Sequence, residues 1–167
     1  RATYEGVKKY VFPKRPFVIT RAAYAGTQRY SSTWTGDNVA TWEHLWIANV
    51  QVQRLCMSGM SFAGSDIGGF AEQPNGELFA RWVQLGIFHP FCRVHSSGDH
   101  GDQEPWSFDE EVTGIVRKFI ELRYQLLPYL YTMFWKYVKE GVPMLKSLVY
   151  YDQADHQTHF RTDEFIF

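Results

Sequence analysis

Short apolar runs in this chain alternate with segments of helical periodicity. The apolar runs predict buried strands, at 17–20, 60–64, 87–92 and 143–150. The periodic segments predict helices, at 39–57, 76–86 and 107–141, the last kinked or restarted at Pro128. A repeating order of strand, loop and helix is typical of βα units around a buried parallel sheet. Because a complete (β/α)8 barrel needs about 250 residues, the pattern predicts an α/β chain that forms part of such a barrel.

Polar and small residues predict the connections between these elements. Residues 1–15 are expected to form a loop or terminal arm, and residues 22–38 a long loop. Residues 65–70 are expected to form the turn after the second strand. The helix N-caps are expected at Asp37 or Asn38, at Asn75, and at Ser107 in a capping box with Glu110.

The two ends of the chain suggest a larger polypeptide. The chain begins at Arg1 rather than Met, and residues 163–167 look like the start of an apolar strand without a partner. We therefore expect a fragment of a longer protein. A partly open barrel would also expose apolar strand edges, so self-association of the fragment is expected.

Composition and charge exclude several classes of function. Seventeen basic residues stand against 18 acidic ones, a net charge of −1, so we expect neither nucleic acid nor an anionic membrane as a partner. No apolar run is long enough for a transmembrane helix. Aromatic residues make up 17% of the chain and serve either as core or as platforms on which sugars and bases stack. Trp42 and Trp46, at helical spacing, are expected in the core.

Two carboxylates follow predicted strands. Asp37 ends the long loop before the first helix, and Asp66 follows the second strand. Parallel βα folds place their active sites at the carboxyl ends of their strands, and two carboxylates in one cleft can divide acid and base work. The alternative is structural, with Asp37 as a helix N-cap and Asp66 in an Asx-turn. Arg21 directly follows the first strand and is expected to point into the same site.

A second cluster of polar residues could in principle hold a metal ion. It contains His89, His95, Asp99, His100 and Asp102. No pair among them has the i, i+4 spacing of ligands on a helix, so a solvated loop is the favoured interpretation, and neither a metal nor any other cofactor is expected. His95, just past a strand end, stays a candidate hydrogen-bond donor to ligand oxygens.

Ordered motifs from residue 16 to the end of the chain resemble glycoside hydrolase family 31, and its α-glucosidases most of all. The motifs are Arg21–Gly26, Trp34–Asn38, Gly64–Phe70, Arg81–Gly86, Pro90–His95, Gln103–Trp106 and Arg123–Tyr131. The resemblance implies a (β/α)8 barrel in a multidomain enzyme that cleaves α-linked sugars with retention of configuration. Residues 1–150 would then form the C-terminal half of the barrel, and residues 151–167 would connect it to a missing C-terminal β domain.

The resemblance also implies roles for individual residues. Asp37 would be the general acid/base. The residues that would bind sugar hydroxyls or line the innermost sugar pocket are Arg21, Trp34, Asp66, Phe70 and His95. The family's nucleophile is an Asp in a Trp-x-Asp-Met-Asn-Glu motif upstream of these segments, and that motif is absent from this chain. A retaining glycosidase needs both carboxyl groups, so the isolated chain is expected to be inactive.

The expected reaction of the full-length protein is hydrolysis of terminal α-linked glucose from oligosaccharides. Two alternatives stay open. The protein could have another activity of the same family, as an α-xylosidase, α-galactosidase or transglucosylase, or the chain could be a carbohydrate-binding fragment without catalysis.

Overall fold

The chain contains both helices and short strands, as the apolar and periodic segments predict. The computed structural model describes all 167 residues, Arg1–Phe167. The helices are α1 (Ala2–Val11), α2 (Trp42–Met57), α3 (Gly76–Gly86) and α4 (Glu110–Glu140). The strands are β1 (Ile19–Thr20), β2 (Ser32–Trp34), β3 (Ala63–Gly64), β4 (Asp66–Ile67), β5 (Arg93–Val94), β6 (Lys146–Ser147) and β7 (Phe165–Ile166). Short 3₁₀ helices lie at Thr27–Arg29, Pro105–Ser107, Leu148–Tyr150 and His156–Phe160.

The first five strands pair in parallel, which confirms the predicted α/β class. β2 lies between β1 and β3, and β4 pairs with β5. Ser65 alone separates β3 from β4, so this stretch pairs first with β2 and then, further along, with β5. Gly64 is required here because a Cβ atom would lie 1.8 Å from the carbonyl oxygen of Phe91. Its missing side chain lets the segment that leads into β5 approach the sheet.

The main core lies between the inner faces of α3 and α4 and the β4 strand. Phe79, Trp82 and Ile67 are buried there and pack with Val116 of α4. Each fully buried side chain of this size contributes about 1.5–3 kcal/mol through removal of apolar surface from water. The indole Nε1 of Trp82 donates to the Ser65 hydroxyl at 3.1 Å, so its burial leaves no unpaired polar atom. This packing fixes β4 beside β5.

Helix α3 begins and ends where the sequence predicts. The Asn75 side chain caps it by accepting from the Leu78 N–H at 2.8 Å. The prediction for α2 was wrong at its start, because the cap is Thr41, whose hydroxyl accepts from the His44 N–H, and neither Asp37 nor Asn38 caps the helix. Those two residues remain in the loop before it.

Two further predictions about helices were wrong. Residues 1–15 are not all loop, since α1 forms with acidic Glu5 in its first turn and basic residues in its last, which suits the helix dipole. The cap of α4 is Asp109, which accepts from the Val112 N–H at 2.8 Å, and not the capping box of Ser107 and Glu110.

Helix α4 also runs without a restart at Pro128. It continues to Glu140 and ends at Gly141, as the sequence predicts, and Gly141 adopts the left-handed conformation. Trp42 and Trp46 of α2 do not lie in the core, because about half of each side chain is exposed. The apolar face of α2 is therefore wider than the part that is buried. None of the four helices is long and apolar enough to cross a membrane.

Predicted strand positions were less accurate. Residues 22–38 contain β2, whose Ser32 and Thr33 hydroxyls donate to backbone carbonyls of the neighbouring strand region, so polar residues fill a strand that looked like loop. Residues 87–92 form a turn, and the strand follows as β5. The guanidinium of Arg123 accounts for this turn because it binds the carbonyls of Ile87, His89 and Pro90.

The predicted turn at 65–70 contains the short strand β4, and only two residues of the predicted strand at 143–150 are extended, as β6. β6 pairs in antiparallel fashion with β7. The segment before β7 is tied to α2, since the Asn49 and Gln53 side-chain amides both donate to the Thr162 carbonyl, at 2.9 and 2.8 Å.

Candidate active site

The predicted site residues come together at the carboxyl ends of the parallel strands. Trp34 ends β2 and Asp37 lies three residues further on, Asp66 lies two residues past the end of β3, and His95 directly follows β5. Because these strands run parallel, their carboxyl ends share one edge, which we call the site edge. The burial and pairing of each group there decide what it can do.

An exposed ion pair lies on the site edge. Arg21 Nη1 and Asp37 Oδ2 are 3.1 Å apart, with 63% and 38% of the two side chains exposed. We call it the rim pair. The loop that carries Asp37 is fixed locally, because the Thr35 hydroxyl donates to Asn38 Oδ1 at 2.7 Å and Gly36 adopts a φ of 89°. Asp37 is thus held in place but stays open to solvent.

A second aspartate–arginine pair lies below the rim. Arg93 Nη2 donates to Asp66 Oδ1 at 2.5 Å, and the Asp66 side chain is completely buried while 29% of the Arg93 side chain is exposed. We call it the buried pair. Burial raises the pKa of the Asp66 carboxyl, whereas the Arg93 hydrogen bond and charge, and the His95 charge, lower it. The charge of Asp37 raises it further, so these four groups share one electrostatic environment.

Aromatic rings surround the two pairs. The Arg93 guanidinium carbon lies 5.4 Å from the centre of the Trp34 ring and 5.3 Å from that of Phe91. The Phe70 ring lies 5.3 Å from the imidazole of His95, tilted by 39°. Trp34 Nε1 and Asp66 Oδ2 are buried and have no hydrogen-bond partner. The site edge therefore has aromatic walls and unpaired polar atoms beneath them.

The loops that carry Phe70 and His95 are joined to each other. The Ser97 N–H donates to the Phe70 carbonyl at 2.9 Å, and the buried Gln103 side chain donates to the Gly69 carbonyl at 3.1 Å. Gly69 has a φ of 89°, and a Cβ atom there would lie 2.6 Å from the Ala40 nitrogen. Only glycine fits this position, and the close approach brings the Phe70 loop against the segment that follows Asp37.

The structural alternatives for the two carboxylates are both wrong. Asp37 does not cap α2, and Asp66 lies in β4 rather than in an Asx-turn. Arg21 and His95 are exposed on the site edge, and Trp34 and Phe70 are half-buried there. Since the Asp66 side chain has no exposed surface, its contact with a substrate stays a prediction.

Sequence reasoning missed Arg93. The strand was expected at 87–92, which left Arg93 outside it. The signal that could have found it is the alternation of Phe91, Arg93 and His95, because residues two apart point to the same face of a strand.

The histidines and acidic residues of the other cluster do not converge. His89 is completely buried, while Asp99, His100 and Asp102 are exposed. No group of three or more His, Cys, Asp or Glu side chains lies close enough to hold a metal ion.

Parallel βα units that carry acidic, basic and aromatic side chains at one edge define an α/β protein. The chain belongs to glycoside hydrolase family 31, since the family model described as "Glycosyl hydrolases family 31 TIM-barrel domain" matches residues 1–133.

Known proteins are similar over almost the whole chain. Alpha-glucosidase 2 of Bacillus thermoamyloliquefaciens is 46% identical over 165 residues, which are 99% of this chain and 21% of that protein. Glucosidase 2 subunit alpha of Saccharomyces cerevisiae is 49% identical over 149 residues, 88% of this chain and 16% of that protein. The crystal structure of a glucosidase II alpha subunit in its Glc1Man2-bound form superposes with a TM-score of 0.95 at 38% identity, covering 99% of this chain and 18% of that one. The chain thus spans about a fifth or less of these relatives.

Proposed function

We propose that this chain is the C-terminal half of the catalytic (β/α)8 barrel of a larger retaining α-glucosidase, with Asp37 as the general acid/base. The full-length enzyme would hydrolyse terminal α-linked glucose from oligosaccharides. The observation that carries the proposal is the rim pair, a solvent-open carboxyl at the strand ends of a chain whose relatives include α-glucosidases.

The reaction needs two carboxyl groups about 5–5.5 Å apart. In the first step Asp37 gives its proton to the leaving oxygen while the nucleophile forms a bond to the anomeric carbon. In the second step Asp37 takes a proton from the water that displaces the nucleophile. A group in this role must be reached by both sugar and water, and Asp37 meets that requirement.

Asp66 is unsuited to the role of nucleophile. Its side chain has no exposed surface, and one carboxylate oxygen is already engaged by Arg93. The anomeric carbon of a sugar could not reach this carboxylate unless the residues that cover it moved away. We therefore propose that the nucleophile lies outside these 167 residues, in the half of the barrel that would complete the site.

The innermost sugar pocket would use the remaining residues of the site edge. Arg21 and His95 present exposed donors for sugar hydroxyls, and Trp34 and Phe70 provide aromatic walls. Asp66 would lie beneath the pocket floor, with Oδ2 unpaired.

A partial barrel is supported by an apolar cavity of about 430 Å³ beside β5. Ile67, Cys92, Val94, Val116 and Leu127 are among its lining residues. An apolar space of this size is costly in contact with water, so the other half of the barrel would cover it. Residues 151–167 would lead into a C-terminal β domain, which fits the switch from parallel pairs to the antiparallel pair of β6 and β7.

Turnover of an aryl α-glucoside by the full-length protein tests the proposal. We expect hydrolysis with retention, seen as the α-anomer of glucose at early times by NMR, and no turnover by the isolated 167-residue chain. α-Xylosides, α-galactosides and maltose in the same panel would detect the sister activities, maltose also through transglucosylation products. Binding of maltose without cleavage of any α-glycoside would instead identify a binding protein, and a β-anomeric first product would refute the retaining mechanism.

A further inference from the structure

Arg93 makes contacts that none of the roles described above requires. Its guanidinium binds the completely buried carboxyl of Asp66 and lies over the rings of both Trp34 and Phe91. Its Nε atom is buried without a partner. A surface arginine would have its charge in water, whereas this one is held between a carboxylate and two aromatic rings.

The strand register explains how these groups meet. Trp34 lies beside Gly64, and Asp66, two residues after Gly64, lies beside Arg93. Residues at paired positions and residues two apart share one face of a parallel sheet, so the Trp34, Asp66 and Arg93 side chains lie on the same face. Gly64 has no side chain, so the Phe91 backbone, two residues before Arg93, lies directly against it. The guanidinium can therefore bind Asp66 and still reach the Trp34 ring.

The pair depends on both charges. Burial favours the neutral form of the Asp66 carboxyl, and Arg93 opposes this by its hydrogen bond and its charge, which lower the pKa of Asp66. The ionised carboxylate in turn fixes the guanidinium in orientation, since an arginine fork has a set geometry. Asp66 therefore anchors Arg93, and Arg93 contacts the indole.

We propose that Arg93 is a positioning residue for the sugar pocket, which holds the Trp34 ring as a wall of the pocket while Asp66 anchors its guanidinium. The inference rests on the proposed function, because it requires that Trp34 faces the sugar. Arg93 would act on substrate binding through Trp34 and would take no part in proton transfer.

A double-mutant cycle in the full-length protein tests this. Arg93→Met is compared in the wild-type and Trp34→Ala backgrounds, with KM and kcat for an aryl α-glucoside and Kd for maltose. Arg93→Met should raise KM and Kd about fivefold and leave kcat within about twofold, because only the wall is displaced. In the Trp34→Ala background the same substitution should change neither KM nor Kd, since the ring on which Arg93 acts is gone.

Further variants cover the case in which Arg93→Met does not fold because the buried Asp66 carboxyl has lost its partner. Asp66→Asn combined with Arg93→Met removes the buried charge and should show the same rise in KM. Arg93→Lys keeps the charge but not the planar fork and should fall between wild type and Arg93→Met. Arg81→Met, on the exposed face of α3, is the matched control and should be unchanged.

Two outcomes would overturn the inference: additive effects of Trp34→Ala and Arg93→Met on KM and Kd, or a loss in kcat with KM unchanged. If wild type binds maltose without hydrolysing any α-glucoside, the proposed function fails, and the cycle is decided on Kd alone. A wild-type protein that neither binds nor hydrolyses these sugars would refute both.

Discussion

The rim pair and the buried pair are built from the same two residue types, yet their environments differ sharply. Asp37 and Arg21 are both open to solvent, whereas Asp66 is completely buried and Arg93 mostly so. An open carboxyl can exchange a proton with bound sugar and with water. A buried carboxyl that is hydrogen-bonded to an arginine cannot exchange a proton in this way. It is suited instead to holding other groups in place. In our proposal, burial rather than residue type separates the chemical role of Asp37 from the positioning role of Arg93.

The largest expected difference in stability comes from removing the aspartate of each pair in turn. Asp66→Ala leaves Arg93 without its buried partner and should lower the free energy of unfolding by about 3 kcal/mol. Asp37→Ala removes an exposed pair and should lower it by less than about 1 kcal/mol. Urea denaturation of the full-length protein measures both. Similar losses in the two variants would mean that the pairs do not differ in the way their burial indicates.

A second test uses a buried titratable group outside the two pairs, His89. It is completely buried without a hydrogen-bond partner, and burial, with a smaller effect from the Arg123 charge, lowers its pKa from 6.5 to about 3. Below pH 6.5 the unfolded chain binds a proton that the folded chain does not. Stability is therefore fully present above pH 6.5 and should fall by about 1.4 kcal/mol for each pH unit down toward pH 3.

The substitution His89→Leu should flatten this acid-side slope in urea denaturation measured between pH 6.5 and 4.5. His100→Leu is the control, because His100 is exposed in the loop after β5, and its slope should match that of wild type. An unchanged slope in His89→Leu would contradict the assignment of the acid sensitivity to His89.

The sequence pattern predicted those elements whose buried face follows a regular spacing of apolar residues. Asn75 as a cap and the inward face of α3 were predictable, because apolar residues at helical spacing pack on one side. The carboxylates at strand ends were predictable from the repeat of βα units. β2 was not predictable, because polar residues such as Ser32 and Thr33 are typical of a loop. They fit a strand here because their hydroxyls donate to carbonyls of the neighbouring strand region.

Long-range contacts account for the other errors. The strand near residue 90 was misplaced because Arg123, more than 30 residues away, binds the carbonyls of the turn. Because the strand was expected too early in the chain, Arg93 was not among the predicted site residues. Trp42 and Trp46 have the spacing of a core stripe, and spacing alone does not reveal which face of α2 is covered.

The role of Asp37 is the central claim, and the leaving-group dependence of Asp37→Ala in the full-length protein tests it most directly. Loss of a general acid/base should slow hydrolysis of maltose by about 10²–10⁴-fold. A glucoside with an activated leaving group needs no acid and should react with the nucleophile nearly as fast as in wild type. Its overall turnover should then stall at the glycosyl-enzyme, and azide should restore it, since azide attacks without help from a base. Asp99→Ala, in an exposed loop, should behave as wild type. Equal losses on both substrates with no effect of azide would remove Asp37 from the acid/base role.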